Sequence, residues 1–138
     1  MLDHISLGVT DIVRSRRFYD AALRPLGIVR LLDFEDRGSD YGPMAAPLGV
    51  EFTITQEGSV APGAGQHICF RAPDRGAVAE FYAASLREGG RDDGEPGLRP
   101  RYHESYFGAF VLDLDGHRIE AVCHAPAALM PPSDYRAK

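Results

Sequence analysis

Hydrophobic and polar residues alternate at the start of the chain and then change period. Ile5, Leu7 and Val9 fall on one side of an extended stretch, with His4, Ser6 and Gly8 on the other, which is the period-two pattern of a strand. From Asp11 the period lengthens. Ile12, Tyr19, Ala22, Leu23 and Leu26 mark one face of a helix capped by Thr10 or Asp11, running to about Arg24 and ended by Pro25 and Gly27. Extended patterns follow: a strand over residues 28–36, a short one near 41–45, and a firmer one in VEFTITQ, where Phe52 and Ile54 alternate with Glu51, Thr53 and Thr55. One strand, one helix and three strands make a module over residues 2–57.

The chain repeats this opening. DHISLGVTDIVRSRRFYDAALRPLG, from Asp3 to Gly27, aligns without a gap on QHICFRAPDRGAVAEFYAASLREGG, 63 residues further on. His4 falls on His67, Ile5 on Ile68, Asp11 on Asp74, Phe18 and Tyr19 on Phe81 and Tyr82, and Gly27 on Gly90. A common helix pattern accounts for the aromatic matches but not for the histidines. Two copies at so long a period indicate a duplicated module within one domain rather than a solenoid.

A small, nearly uncharged stretch, GSVAPGAGQ at 58–66, reads as the linker. The second module, 67–124, opens on His67, and Asp74 caps a helix through Val78, Phe81, Tyr82 and Leu86 that Gly89 and Gly90 stop. Residues 91–105, RDDGEPGLRPRYHES, are rich in Gly, Pro and charge and read as a loop, either an ordinary surface excursion or a lid carrying Tyr102 and His103 over a pocket. A hairpin follows: Tyr106 to Leu112, a turn at Asp115 and Gly116, and Arg118 to His124. The tail, 125–138, holds Pro126, Pro131 and Pro132 and is expected to lie extended or frayed.

Composition narrows the function. The 138 residues suit one domain, and 44% hydrophobic with 25% charged is ordinary for a soluble protein. No stretch approaches the ~18 apolar residues of a membrane span, and the N-terminus lacks a basic start followed by an apolar run, so a cytoplasmic protein with no membrane partner is expected. A formal charge of −5 disfavours nucleic acid, since Arg14, Arg16 and Arg17 make only a short strip of a helix. Two cysteines are too few for a disulfide framework. Cys69 shares the face of His67 and Cys123 lies opposite Glu120, so a bond between them is not expected.

Chemistry enters with the last strand of each module. Aligning GVEFTI with RIEAVC puts Glu51 on Glu120, and each module then offers one His on its first strand and one Glu in its last. A carboxylate within an apolar strand is costly unless it is paired, exposed or bound to a metal. Two His and two Glu related by one internal symmetry point to a shared metal site of His4, His67, Glu120 and Glu51.

These motifs, with FVLDLDGHRIEAV near the C-terminus, resemble the glyoxalase, bleomycin-resistance and extradiol-dioxygenase superfamily, the vicinal oxygen chelate fold, from residue 2 to about 124. The resemblance implies an α+β fold of two βαβββ modules whose mostly antiparallel sheets form a cup around a divalent metal. It matches the family's ligands to His4, His67 and Glu120, and more weakly to Glu51. Such a ligand set suits Zn, Ni, Mn or Fe(II). With four ligands the site resembles a glyoxalase lyase or isomerase, in which Glu120 or Glu51 moves a proton and an enediolate-like intermediate is stabilised. With three it resembles the facial triad of ring-cleaving dioxygenases.

Tyr102, His103 and Tyr106 are acid–base candidates for either chemistry on a small-molecule substrate. His117, in the family's DGH motif, reads as structural. A non-catalytic drug-binding protein is the competing class, but the drug binders of this superfamily generally lack the metal ligands that are present here. The resemblance also implies a homodimer, sometimes with each site shared between chains.

Overall fold

The computed structural model describes residues 1–45 and 49–127. Residues 128–138, most of the expected extended tail, lie outside the described residues. The elements run β1 (Ile5–Val9), α1 (Ile12–Leu23), a 3-10 turn (Arg24–Leu26), β2 (Ile28–Asp33), β3 (Gly38–Pro43), β4 (Phe52–Gln56), β5 (Ile68–Arg71), α2 (Arg75–Arg87), β6 (Arg91–Leu98), β7 (Phe107–Leu112) and β8 (Arg118–Cys123). Each half is therefore a βαβββ module. The first forms a sheet of order β1-β4-β3-β2 and the second a sheet of order β5-β8-β7-β6. In both, the first and last strands pair in parallel and the remaining neighbours are antiparallel. This is the α+β, glyoxalase-like architecture that the resemblance implies.

The repeated helix signals work alike. Asp11 and Asp74 both take extended backbone, and their side chains accept hydrogen bonds from Arg14 N and Ala77 N, satisfying donors that the first helical turn leaves free. Gly27 ends the first helical run in the left-handed region at φ 77°, where a side chain would be strained. One face of α1 buries Ile12, Ser15, Phe18, Tyr19, Ala22 and Leu23. Both helices and both sheets feed one hydrophobic core, in which Phe52 and Phe70 meet edge to face at 5.4 Å between ring centroids.

Two strands differ from expectation. β2 ends at Asp33 because Phe34 to Arg37 turn the chain, with Phe34 N donating to Gly38 O at 2.9 Å, and β3 accordingly starts earlier than residue 41. The larger correction is at 91–105, where the loop reading fails for the first eight residues: Arg91–Leu98 is a strand. It is an edge strand with two breaks in its pairing to β7, and it holds Gly94 at φ 152° and Pro96. Edge strands tolerate Pro, Gly and charge because one row of their backbone groups needs no partner. The same composition hides them from a pattern search.

The turn after β7 clasps the first module. Asp115 accepts from Thr10 N at 3.2 Å and from Thr10 Oγ1 at 2.5 Å, and the His117 ring donates from Nε2 to Gly8 O at 2.7 Å. Beneath it, Tyr19 of α1 donates its phenol proton to the buried Asp113 Oδ2 at 2.5 Å, while Asp113 Oδ1 accepts from Asp115 N and His117 N. His117 is thus structural, as the motif suggests. Among the described residues, no helix is long and apolar enough to cross a membrane.

Candidate metal centre

Alternation along β8 sends Ile119, Ala121 and Cys123 into the core and Glu120 to the opposite face of the sheet. Glu120 is nevertheless only 1% exposed. Its carboxylate is held from two sides: Oε2 lies 3.1 Å from His67 Nε2, and Oε1 accepts a short hydrogen bond from the Tyr106 hydroxyl. Phe110 stands opposite Glu120 in the β7–β8 register, and its ring lies 5.9 Å from that of His67. Cys69 is its register partner on β5.

The buried carboxylate shapes its neighbours. Desolvation, followed by the hydrogen bond to Glu120, raises the Tyr106 phenol well above its ordinary value, so Tyr106 keeps its proton and acts as the donor. Partial burial and the same carboxylate push the Cys69 thiol up to about 12, which keeps it an unreactive thiol. Cys69 and Cys123 are both free.

Sheet register revises the internal symmetry. Ile5 opposes Phe52, and its equivalent Ile68 opposes Ile119. Thr53, not Glu51, therefore stands where Glu120 stands, and Glu51 takes the place of Arg118. The GVEFTI–RIEAVC match is two residues out of register. A slip of two preserves the alternation of a strand, so patterning cannot detect it. Thr53 is buried and donates to Asp40 Oδ1 at 2.6 Å, whereas the Glu51 side chain is exposed at the end of β4.

The structure brings His67 and Glu120 together, and among the described residues neither His4 nor Glu51 gathers with them. His4 is exposed just before β1, in the other sheet, with Nδ1 2.7 Å from Asp3 Oδ1. Among the described residues, no three His, Cys, Asp or Glu side chains gather closely enough to hold an ion. Tyr102 and His103 sit one layer further out. Their rings contact Tyr106 at 4.8 and 5.5 Å, and His103 Nε2 meets His124 Nδ1 at 2.8 Å. It is Tyr106 that touches the carboxylate. Two arginines also converge here that the sequence separates widely: the guanidinium carbons of Arg99 and Arg118 lie 5.9 and 4.8 Å from the Phe110 ring centroid. No sequence signal joins them, because they meet only through the β6–β7–β8 pairing.

The donor chemistry fits a divalent ion as half of a site. An imidazole nitrogen and a carboxylate oxygen 3.1 Å apart have about the separation of two ligands that each lie ~2.1 Å from one ion.

Relatives agree with this architecture. A glyoxalase/bleomycin resistance protein from Albidiferax ferrireducens is 32% identical, with a TM-score of 0.76 over 91% of this chain and 99% of that one. A glyoxalase-related enzyme from Fulvimarina pelagi is 19% identical, with a TM-score of 0.67 over 88% of this chain and 86% of its own. A mutant of the Listeria monocytogenes fosfomycin resistance protein FosX, complexed with Mn(II) and 1S,2S-dihydroxypropylphosphonic acid, is 16% identical, with a TM-score of 0.66 over 92% and 91% of the two chains. At those last two identities the likeness is one of fold. No curated protein matches. The family model of the Glyoxalase/Bleomycin resistance protein/Dioxygenase superfamily matches residues 1–121, and with the 32% identical relative it shows that the chain belongs to this superfamily.

Proposed function

We propose that the chain is one subunit of a divalent-metal-dependent enzyme of the glyoxalase type, with His67 and Glu120 from one copy and His4 of a partner subunit forming each metal site. The observation that carries this reading is the buried Glu120 carboxylate set against His67. A carboxylate at 1% exposure with no Lys or Arg in ion-pair contact with it among the described residues is costly unless it has work to do. Among the described residues His4 does not gather with His67 and Glu120 within one chain, and its ring is exposed, where a second copy could meet it.

A bound ion would supply a Lewis acid for two neighbouring oxygens of a small substrate. Around it the protein's own residues have distinct tasks. Glu120 brings negative charge and a proton acceptor. Tyr106 orients that carboxylate and holds a proton that it can pass to a substrate oxygen. Phe110 and Cys69 give the face an apolar floor. This reading does not call on Glu51, which is exposed and out of register with Glu120, and so uses two imidazoles and one carboxylate, a combination suited to Mn, Fe(II), Ni or Zn.

That three-ligand set favours ring-cleaving Fe(II) chemistry as a second reading. Oxygen uptake by anaerobically Fe(II)-loaded protein on adding catechol would establish it, and loading without uptake leaves the glyoxalase type.

Mixed dimers test the shared site. His4→Ala and Glu120→Gln protein should each hold no Mn(II), the ion bound by the Listeria relative. Co-refolding the two variants should restore one ion per mixed dimer, because one of its two sites is then built wholly from native ligands. Failure to recover any ion would place the ligands within single chains or remove the metal altogether, and the wild-type content separates those outcomes.

A further inference from the structure

Arg99 and Arg118 are unused by the reading above, yet both lie on the ring that floors the metal half-site. Arg99 follows β6 and folds back across it. A Cβ added at Gly94 or Gly97 would come within 3.3 and 3.1 Å of its guanidinium nitrogens, so the two glycines form the trough in which the side chain lies. Its Nη2 donates to Glu95 O at 2.7 Å. Among the described residues no carboxylate pairs with it. Arg118 is two residues before Glu120 on the same face of β8. It donates to Asp93, which leaves part of its planar fork for another acceptor. Arg118 and His67 also line one cleft of about 860 Å³, walled on its far side by Ile5 and Leu7.

A guanidinium held in place by glycines, a carbonyl and an aromatic face, but lacking a counter-ion, is set up for an anion from outside the chain. We infer that Arg99 and Arg118, gathered on the Phe110 ring beside His67 and Glu120, hold a negatively charged arm of the substrate. The site then takes small acids that carry a carboxylate or phosphate beyond their vicinal oxygens. The inference deepens the metal-site reading and rests on it for the position of those oxygens. The formal charge of −5 gives the chain as a whole no general attraction for anions, so an anionic arm needs local guanidinium groups such as these.

Three hydroxy acids with one chelating end and different arms test it: glycerate with a hydroxyl arm, malate with a carboxylate and 3-phosphoglycerate with a phosphate. Titrated calorimetrically into Mn(II)-loaded protein, one of the two charged-arm acids should bind at least about tenfold tighter than glycerate, and which one does so identifies the anion. In Arg99→Gln/Arg118→Gln protein that preference should vanish, while circular dichroism and Mn(II) content stay at wild-type levels. Arg99→Lys, which keeps the charge but loses the planar fork, should recover part of it. Equal affinities for the three acids, or a preference surviving in the double variant, would overturn the inference.

If the wild type holds no Mn(II), the metal reading fails alone. Inorganic phosphate titrated into the metal-free protein then decides the arginines: saturable binding lost in the double variant supports them, and its absence overturns them too.

Discussion

Glu120 is the residue at which stability and function pull apart. Its neighbours satisfy both carboxylate oxygens, yet burying an ionised group costs several kcal/mol before any pairing is counted. Gln has the same shape, can still accept from Tyr106 and can donate its amide to His67 Nε2, without the charge. In chelator-treated protein, Glu120→Gln should therefore leave the urea midpoint unchanged or raise stability by roughly 1 kcal/mol, while uptake of Mn(II) is lost. A loss of more than about 1 kcal/mol would mark the carboxylate as structural and weaken its assignment as a ligand. At this scale the pair His67–Glu120 is legible because duplication makes one histidine stand out and alternation fixes the facing of Glu120. The match of Glu51 to Glu120 misleads because two-residue slippage leaves alternation intact; only the pairing of Ile5 with Phe52 reveals Thr53 at that place. Tyr106 is legible as a candidate but not its contact, which depends on register across β7 and β8.

At the scale of elements, strands with a buried face announce themselves and edge strands do not. β1, β4, β7 and β8 carry period-two apolar residues and both helices carry capped amphipathic patterns, so the modules can be read directly. β6 cannot, since its sequence RDDGEPGL lies at a sheet edge where only one row of backbone groups must be matched. The join between modules is half legible: the DLDGH motif indicates a structural turn, but nothing in sequence pairs Tyr19 with Asp113 or Thr10 with Asp115. That clasp makes a specific claim. Tyr19→Phe leaves Asp113 Oδ2 buried without its phenol donor and creates almost no cavity. It should cost about 1–3 kcal/mol in urea unfolding, still as a single transition because both modules share the core. A change below about 0.5 kcal/mol would mean that Asp113 is satisfied without the phenol.

The molecule as a whole carries buried phenols across its core, and they tie its stability to alkaline pH. Tyr19 and Tyr41 are both 0% exposed. Burial first, then the neighbouring carboxylates Asp113 and Asp20 respectively, raise each above the ordinary tyrosine value. In the unfolded chain these phenols titrate near pH ~10, whereas in the folded protein they stay protonated well beyond it. Their contribution is therefore complete below about pH 10 and is lost as pH rises towards the folded values, because only the unfolded chain then releases the protons. Each phenol can remove up to about 1.4 kcal/mol per pH unit in that window. Urea midpoints followed from pH 8 to pH 11 should accordingly fall steeply above pH 10. The fall should be shallower in Tyr41→Phe, where the Asp20 carboxylate remains near the surface and no phenol is left to titrate on unfolding. Tyr19→Phe should start lower at pH 8 and lose less between pH 10 and pH 11 than wild type. Parallel alkaline slopes in all three proteins would show that the buried tyrosines do not govern this limb, and that the proton release comes from exposed groups.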